Sequence, residues 1–408
     1  MTQSTSLAVR PAHPALFFVL YLPFGAAGGY FSGALEYFYS QAGVSTAALG
    51  LVLTIALAPQ VAKMLWAPLV DSLFTVSAWY LSGLAAIGVS LVGASLLPVG
   101  SSSLPALTAF ALTASVASTF CGMAAERLMA HATAPERRGR AGGWSQAGNL
   151  GGAGLGGGAG LWIAAHAHSL PLSGAIVAGA GGVCAFALLF ARQRTEIVRH
   201  ASYGATLIAI ARECLAMCRS RDGALTLLVF ILPLGAGGAA QLFSALAKEW
   251  RVTADLLAGV NWLVGLATAA AAIIGGYVSD RMDRRTAYVA FGVIGGLTAA
   301  GAALAPRTPD WFVTFVFAYS AALGLSYAAF SAATLEAIGT GAAATKYNLL
   351  AGVSNIPVWL MPAFDGWADA RWGAGGLLWL ELAVALAGAA LYAIVVQASH
   401  RRLTPAPA

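Results

Sequence analysis

Seven ionisable residues, Glu36, Lys63, Glu126, Arg127, Glu336, Asp365 and Glu381, stand inside long apolar stretches of this 408-residue chain. Holding a charge in hydrocarbon costs about 2.5–3.5 kcal/mol on insertion scales, so each residue calls for a chemical account. Glu126 is the leading proton carrier, because a carboxyl group taken out of water can cycle between charged and neutral forms. Arg127 projects about 100° away from it on a helix, so the two do not squarely share a face. Its readings are an anion contact, an ion pair between helices, or snorkelling to the interface. Lys63 lies in Gln60-Val-Ala-Lys63-Met-Leu-Trp66-Ala-Pro68-Leu-Val-Asp71 and shares a helical face with Gln60. A cation there holds an anionic solute group, pairs with Glu126, or snorkels.

The remaining polar candidates are less exclusive. Glu36 stands among Tyr30, Phe31, Tyr37, Phe38 and Tyr39, either an interfacial belt or an aromatic wall against a substrate. Asn149 and Asn355, with Gln146 nearby, suit a polar solute or bonds between helices. Glu336 lies near a helix end and reads as a gating residue, while Asp365 and Glu381 read as interfacial. Pro357 and Pro362 bracket an expected kink.

Several chemistries find no support. His166-Ala-His168 lacks further ligands at metal-binding spacing. The run Gly151–Gly160 mimics a phosphate loop but has no Gly-Lys-Ser/Thr, and helix packing explains it better. Cys121 and Cys184 are in apolar segments, and Cys214 and Cys218 have no nearby His. No Ser/His/Asp or Cys/His arrangement occurs, so neither an enzyme nor a cofactor is expected. The net charge of +6 is dispersed over connectors, which argues against nucleic acid.

These residues must be positioned by membrane helices. The chain is 59% hydrophobic and 9% charged, far from the globular norm of about a quarter charged. Apolar windows of about 20 residues, long enough to span a bilayer, fit twelve times. They begin near Pro14, Thr46, Thr75, Leu104, Ala141, Pro171, Gly223, Ala254, Thr286, Trp311, Lys346 and Ala374. The chain is also duplicated: Leu22–Gly29 returns as Leu232–Ala239, and Ser45, Asp71, Glu126 and Asn149 have counterparts at Thr253, Asp280, Glu336 and Asn355 in the same order. The internal copy also argues that the first apolar run is not a signal peptide.

Arg10, Arg137, Arg138, Arg140, Arg192, Arg194, Arg199, Arg212, Arg219, Arg221, Arg281, Arg284, Arg285, Lys346, Arg401 and Arg402 fall on the side of the termini. Lys248, Arg251, Arg307 and Arg371 fall opposite. The imbalance places both termini in the cytoplasm. Residues 1–197 are expected to form one six-helix bundle and 223–408 another. A linker, 198–222, lies between them and carries an amphipathic helix.

Two parallel six-helix repeats with a long central connector resemble the major facilitator superfamily. Gly276-Tyr-Val-Ser-Asp280-Arg281-Met-Asp283-Arg284-Arg285 is similar to its loop signature Gly-x-x-x-Asp-Arg-x-Gly-Arg-Arg/Lys, with Asp283 in place of the usual Gly. The resemblance implies an alternating-access transporter with a solute site between the halves, and a charge clasp that uses Asp280 and Arg281. Asp71 is the first-half counterpart but lacks a following basic residue, so one full clasp is expected.

The run Lys63-Met-Leu-Trp66-Ala-Pro68-Leu-Val-Asp71, with Glu126 and Pro135-Glu136-Arg137-Arg138-Gly139, is similar to AmpG-type muropeptide permeases, whose typical run is Lys-Phe-Leu-Trp-(Ala/Ser)-Pro-Leu-x-Asp. The family's first acidic position in the fourth span is Gly122 here. Related permeases carry acetyl-coenzyme A or siderophores. The resemblance implies proton-driven import of a polar, anionic organic solute across the inner membrane by a monomer in the lipid bilayer. The alternatives are a siderophore or coenzyme A-type permease and a non-transporting sensor or assembly protein.

Overall fold

Glycine and proline punctuate the apolar runs, and at some of them, Pro68 and Gly373 among them, a helix is interrupted. The structure, a computed structural model, describes residues 12–191, 202–235, 237–241, 246, 247, 249–339 and 341–401. Arg10, Arg192, Arg194, Arg199, Lys248 and Arg402 of the charge count lie outside the described residues, as do residues 198–201 of the expected linker.

Among the described residues the chain is helical, with no strand. The first pass is Ala15–Gly29, widens into a π turn at Tyr30–Leu35 and ends as Glu36–Gln41. The second is Thr46–Ala62, a 3-10 turn at Lys63–Leu65, then Ala67–Ser72. Pro68 causes that interruption, since it has no N–H to continue the ladder. The third to sixth passes are Val76–Ser95, Leu104–Ala132, Arg138–Ala167 and Leu170–Cys184.

The helix Tyr203–Arg219 leads into the second half. Its seventh pass is split into Arg221–Ile231 and Gly238–Gln241. The eighth to tenth are Ala254–Ser279, Arg284–Leu304 and Pro309–Ile338. The last two run through Ala343–Arg401 and are divided at Gly373, whose φ is 70°. The backbone stays helical through Pro357 and Pro362, so the break falls at Gly373 rather than at the prolines. These are twelve passes in two six-helix bundles, and their starts lie within a few residues of the expected windows.

Seven helices are long and apolar enough to cross a membrane by length and composition, and the last of them, Ala343–Ser399, holds two passes. The second pass is interrupted at Lys63, and glycine dilutes the fifth. Leu189, Phe190, Leu304 and Trp359 are 75–78% exposed, a surface suited to lipid.

The repeat is visible in local detail. Ser45 and Thr253 cap the second and eighth passes, each hydroxyl accepting the N–H three residues on. The glycine run of the fifth pass is a packing surface: a Cβ at Gly152 or Gly156 would strike the carbonyls of Leu22 or Ala26 in the first pass. Lipid supplies no hydrophobic drive between helices, so such close backbone contact holds them together. Gly139 and Gly143 meet Gly276 of the eighth pass in the same way, across the two halves.

Candidate functional site

A cavity of about 530 Å³ lies between the halves. The bundle face that carries residue 12 and Arg401 is called here the terminal face, and the opposite one the far face. The cavity floor, towards the terminal face, is made by Tyr21, Lys63, Glu126, Gln146 and Tyr347. Its walls extend towards the far face as far as Ser32, Leu53 and Ala111. Tyr288, Ser326, Ser354 and Asn355 line it from the second half.

Glu126 is 4% exposed and ties the halves together. The Tyr21 hydroxyl donates to its Oε1 at 3.2 Å, and Asn348 Nδ2 of the eleventh pass donates to Oε2 at 2.6 Å. Asn348 Oδ1 is buried without a partner among the described residues. Asn348 escaped the sequence reading. Its one signal is a position seven residues before Asn355, two helical turns away and on the same face.

Lys63 is carried into the cavity by the 3-10 turn, near enough to Glu126 to interact electrostatically but outside salt-bridge distance. Gln60 Nε2 donates to Ser115 O and Oγ at 3.4 Å, and Asn149 Nδ2 donates to Gln146 Oε1 at 3.4 Å. Asn355 reaches the wall from the other half.

Two candidates are elsewhere. Glu36 is half-buried near the far end and does not line the cavity, because the π turn before it re-aims the residues that follow. Arg127 is 1% exposed and points away from the cavity. Its Nη1 donates to Val70 O at 2.7 Å and Phe74 O at 3.4 Å, and its Nε stands 3.9 Å from Asp71 Oδ1. The 100° step from Glu126 accounts for this: one residue faces the cavity and the next faces the end of the second pass.

Below the floor, two clasps join the halves. Asp71 accepts from the amides of Ala344 (3.2 Å) and Thr345 (2.8 Å) and from the Thr345 hydroxyl (2.8 Å), at the start of the eleventh pass. Asp280 accepts from the amides of Gly139 (2.7 Å) and Arg140 (3.2 Å) and from Arg140 Nε (2.6 Å), at the start of the fifth. Each carboxylate thus fills the unpaired N–H groups, and the positive dipole end, of a helix in the other half.

This corrects the expectation of a single clasp through Arg281. Arg281 is exposed and bonds Tyr277 O at 3.2 Å. The basic partners come from Arg140 and from Arg284, which also pairs with Glu336 at 3.3 Å. A basic residue directly after the Asp is not needed, because backbone amides supply the donors. Asp365 and Glu381, expected at an interface, are 0% and 7% exposed inside the second half.

Among the described residues no group of three or more His, Cys, Asp or Glu side chains forms a metal site. The arrangement sets a buried carboxyl group, bonded to donors from both halves, beside a cavity lined by amides and hydroxyls.

Residues 17–221 match the Major Facilitator Superfamily. Among solved structures, the chain is similar to a proton:xylose symporter, XylE, bound to 6-bromo-6-deoxy-D-glucose, with 15% identity, 92% and 93% of the two chains covered and a TM-score of 0.65. It is similar to the human organic anion transporter TETRAN at 17% identity, 93% and 98% coverage and a TM-score of 0.66. It is also similar to the transporter FucP in the outward conformation, at 17% identity, 93% and 98% coverage and a TM-score of 0.67. No curated protein sequence matches the chain. At these identities the structural likeness speaks to the fold, and the sequence match carries the family: the chain belongs to the Major Facilitator Superfamily.

Proposed function

We propose that this secondary transporter carries a small polar, anionic organic solute by alternating access and is driven by protons that bind at Glu126. The observation that carries the reading is the Asn348–Glu126 bond, which joins the two halves at the cavity floor. A charged Glu126 accepts from Asn348 and Tyr21 and favours the halves closed at the terminal face. A protonated Glu126 loses acceptor strength and can instead donate to the unpartnered Asn348 Oδ1. Proton binding is thereby linked to the closure that separates the cavity from the terminal face.

Lys63 supplies the cation for an anionic solute group, and Gln60, Asn149 and Asn355 supply amides around it. The cavity volume falls in the range of small-molecule sites, about 300–1,000 Å³. The Lys63–Asp71 run, similar to that of muropeptide permeases, makes muropeptide fragments the first solutes to try, followed by siderophores and coenzyme A derivatives. The excess of basic residues at the terminal face supports cytoplasmic termini, and the resemblance to muropeptide permeases supports import across the inner membrane; the transporter works as a monomer. The two clasps close that face, and the cavity extends from there towards the far face, which is the outer one on this reading.

Thermal-shift binding to the purified chain, followed by uptake into proteoliposomes, tests this. Glu126→Gln is expected to abolish uptake driven by a pH gradient while keeping solute exchange; full pH-driven uptake by the variant would refute the coupling role. Lys63→Ala should weaken anionic solutes about tenfold more than neutral analogues, and equal losses would count against anion recognition.

A further inference from the structure

The second half buries a pair of carboxyl groups that the cavity does not use. Asp365 in the eleventh pass and Glu381 in the twelfth face each other at 0% and 7% exposure. Among the described residues neither oxygen of Asp365 has a hydrogen-bond donor. Glu381 Oε1 accepts from the Ala239 amide at 2.8 Å and its carboxyl also bonds the Tyr319 hydroxyl. Tyr319 is the titratable side chain that faces the pair, and no Lys or Arg among the described residues pairs with either carboxyl.

Two carboxylates in contact away from water cannot both stay ionised. One shared proton resolves the arrangement, because an O–H on one group donates to an oxygen of the other and gives Asp365 the partner it lacks. A metal cation fits less well. The cavity beside Glu381 is about 10 Å³, at the lower limit for one water, and the Ala239 N–H and Tyr319 O–H both aim positive ends at Glu381.

The pair also contacts the break in the seventh pass. At residues 232–235 and at Gly237 the seventh pass is out of the helix, with Gly235 at φ 63° and Gly237 at φ 70°. A Cβ at Gly238 would collide with Asp365 Oδ2 and Glu381 Oε1, so glycine there lets both carboxyls reach the backbone. Gly235 and Ser326 line both the small cavity at Glu381 and the large solute cavity.

We infer that Asp365 and Glu381 form a proton-binding site in the second half whose occupancy sets the conformation of the broken seventh pass. With the proton bound, the pair stays closed and Glu381 holds the Ala239 amide. With the proton lost, two like charges part and the backbone of residues 237–239 is released. The site stands apart from Glu126, so it holds whether or not Glu126 couples transport.

Infrared titration of the purified full chain tests the inference without a solute. A carboxylic-acid carbonyl band should be present near neutral pH and fade as pH rises. Asp365→Asn and Glu381→Gln should each remove it, while Glu126→Gln leaves it. Hydrogen exchange at one fixed pH supplies the second readout: Glu381→Ala, which removes the acceptor of the Ala239 amide, should speed exchange in residues 232–241 about tenfold and leave residues 22–29 unchanged, while Glu381→Gln, a mimic of the protonated carboxyl, should not speed it. Should Asp365→Asn fail to fold, Glu381→Gln carries the infrared measurement, since its amide still accepts from Ala239. A band untouched by both substitutions, a band that never titrates while the protein is folded, a band displaced by sodium at constant pH, or unchanged exchange in 232–241 of the Glu381→Ala variant would each overturn the inference.

Discussion

The two clasps at the terminal face follow one plan and differ in what surrounds the carboxylate. In each, an Asp at the end of one pass caps the helix that starts a pass in the other half. Asp280 takes its side-chain bond from Arg140, which is 33% exposed. The counterpart of Arg140 is Lys346, and it turns instead to Glu213 of the linker helix at 3.4 Å. The Thr345 hydroxyl takes the vacated position on Asp71, and Arg127, itself 1% exposed, approaches Asp71 from behind. Duplication thus preserved the helix-capping bond and left the ionic part free to diverge. One clasp is dry and internal. The other is wetter and built for exchange.

The difference ranks the outcomes of substitution. Asp71→Asn removes the partner of a buried guanidinium and should cost about 3 kcal/mol, seen as a large drop in the thermal midpoint in detergent. Asp280→Asn keeps an acceptor for the Gly139 amide and leaves Arg140 able to reach water, so about 2 kcal/mol is expected in the same measurement. Glu213→Gln frees Lys346 from a partner that is 40% exposed, and a change of about 0.5 kcal/mol or less should follow. Arg281→Ala should lie within about 0.5 kcal/mol of the parent, since Arg281 contributes to neither clasp. A cost for Arg281→Ala as large as that for Asp280→Asn would reverse this ranking.

Next to the Asp280 clasp, Asp283 caps the ninth pass. Its Oδ1 accepts from the Thr286 amide at 2.8 Å and the Thr286 hydroxyl at 2.9 Å. Burial opposes its charge, but these bonds and Arg285 outweigh burial and hold the carboxyl below the ordinary Asp range. A depressed folded value means that its contribution is present above the ordinary range and disappears as pH falls through the folded value. Thermal melts recorded down the acid side should therefore show a loss that Asp283→Asn flattens.

The sequence made the number and height of the passes legible, because hydropathy reports where a residue lies along the bilayer normal. It did not report which way a side chain points or what stands opposite. Glu126 and Lys63 fall in the cavity because their helices border it. Glu36 fails because a π turn, invisible in the sequence, shifts its face. Asp365 and Glu381 were placed at the right height yet assigned to an interface, because their partner surface is the unwound segment around Gly238 from another pass. Asp71 was half-read for a related reason: its donors are backbone amides at Ala344 and Thr345, which no side-chain pattern announces.

The paired clasps as the lock on the terminal face are tested most directly by a distance. With the native cysteines replaced, spin labels at the exposed Ala78 and Ala398 report the separation of the two halves on that face. The account predicts one short distance in the parent and a longer, second population when Asp71→Asn and Asp280→Asn are combined. An unchanged single distance in a folded double variant would contradict it.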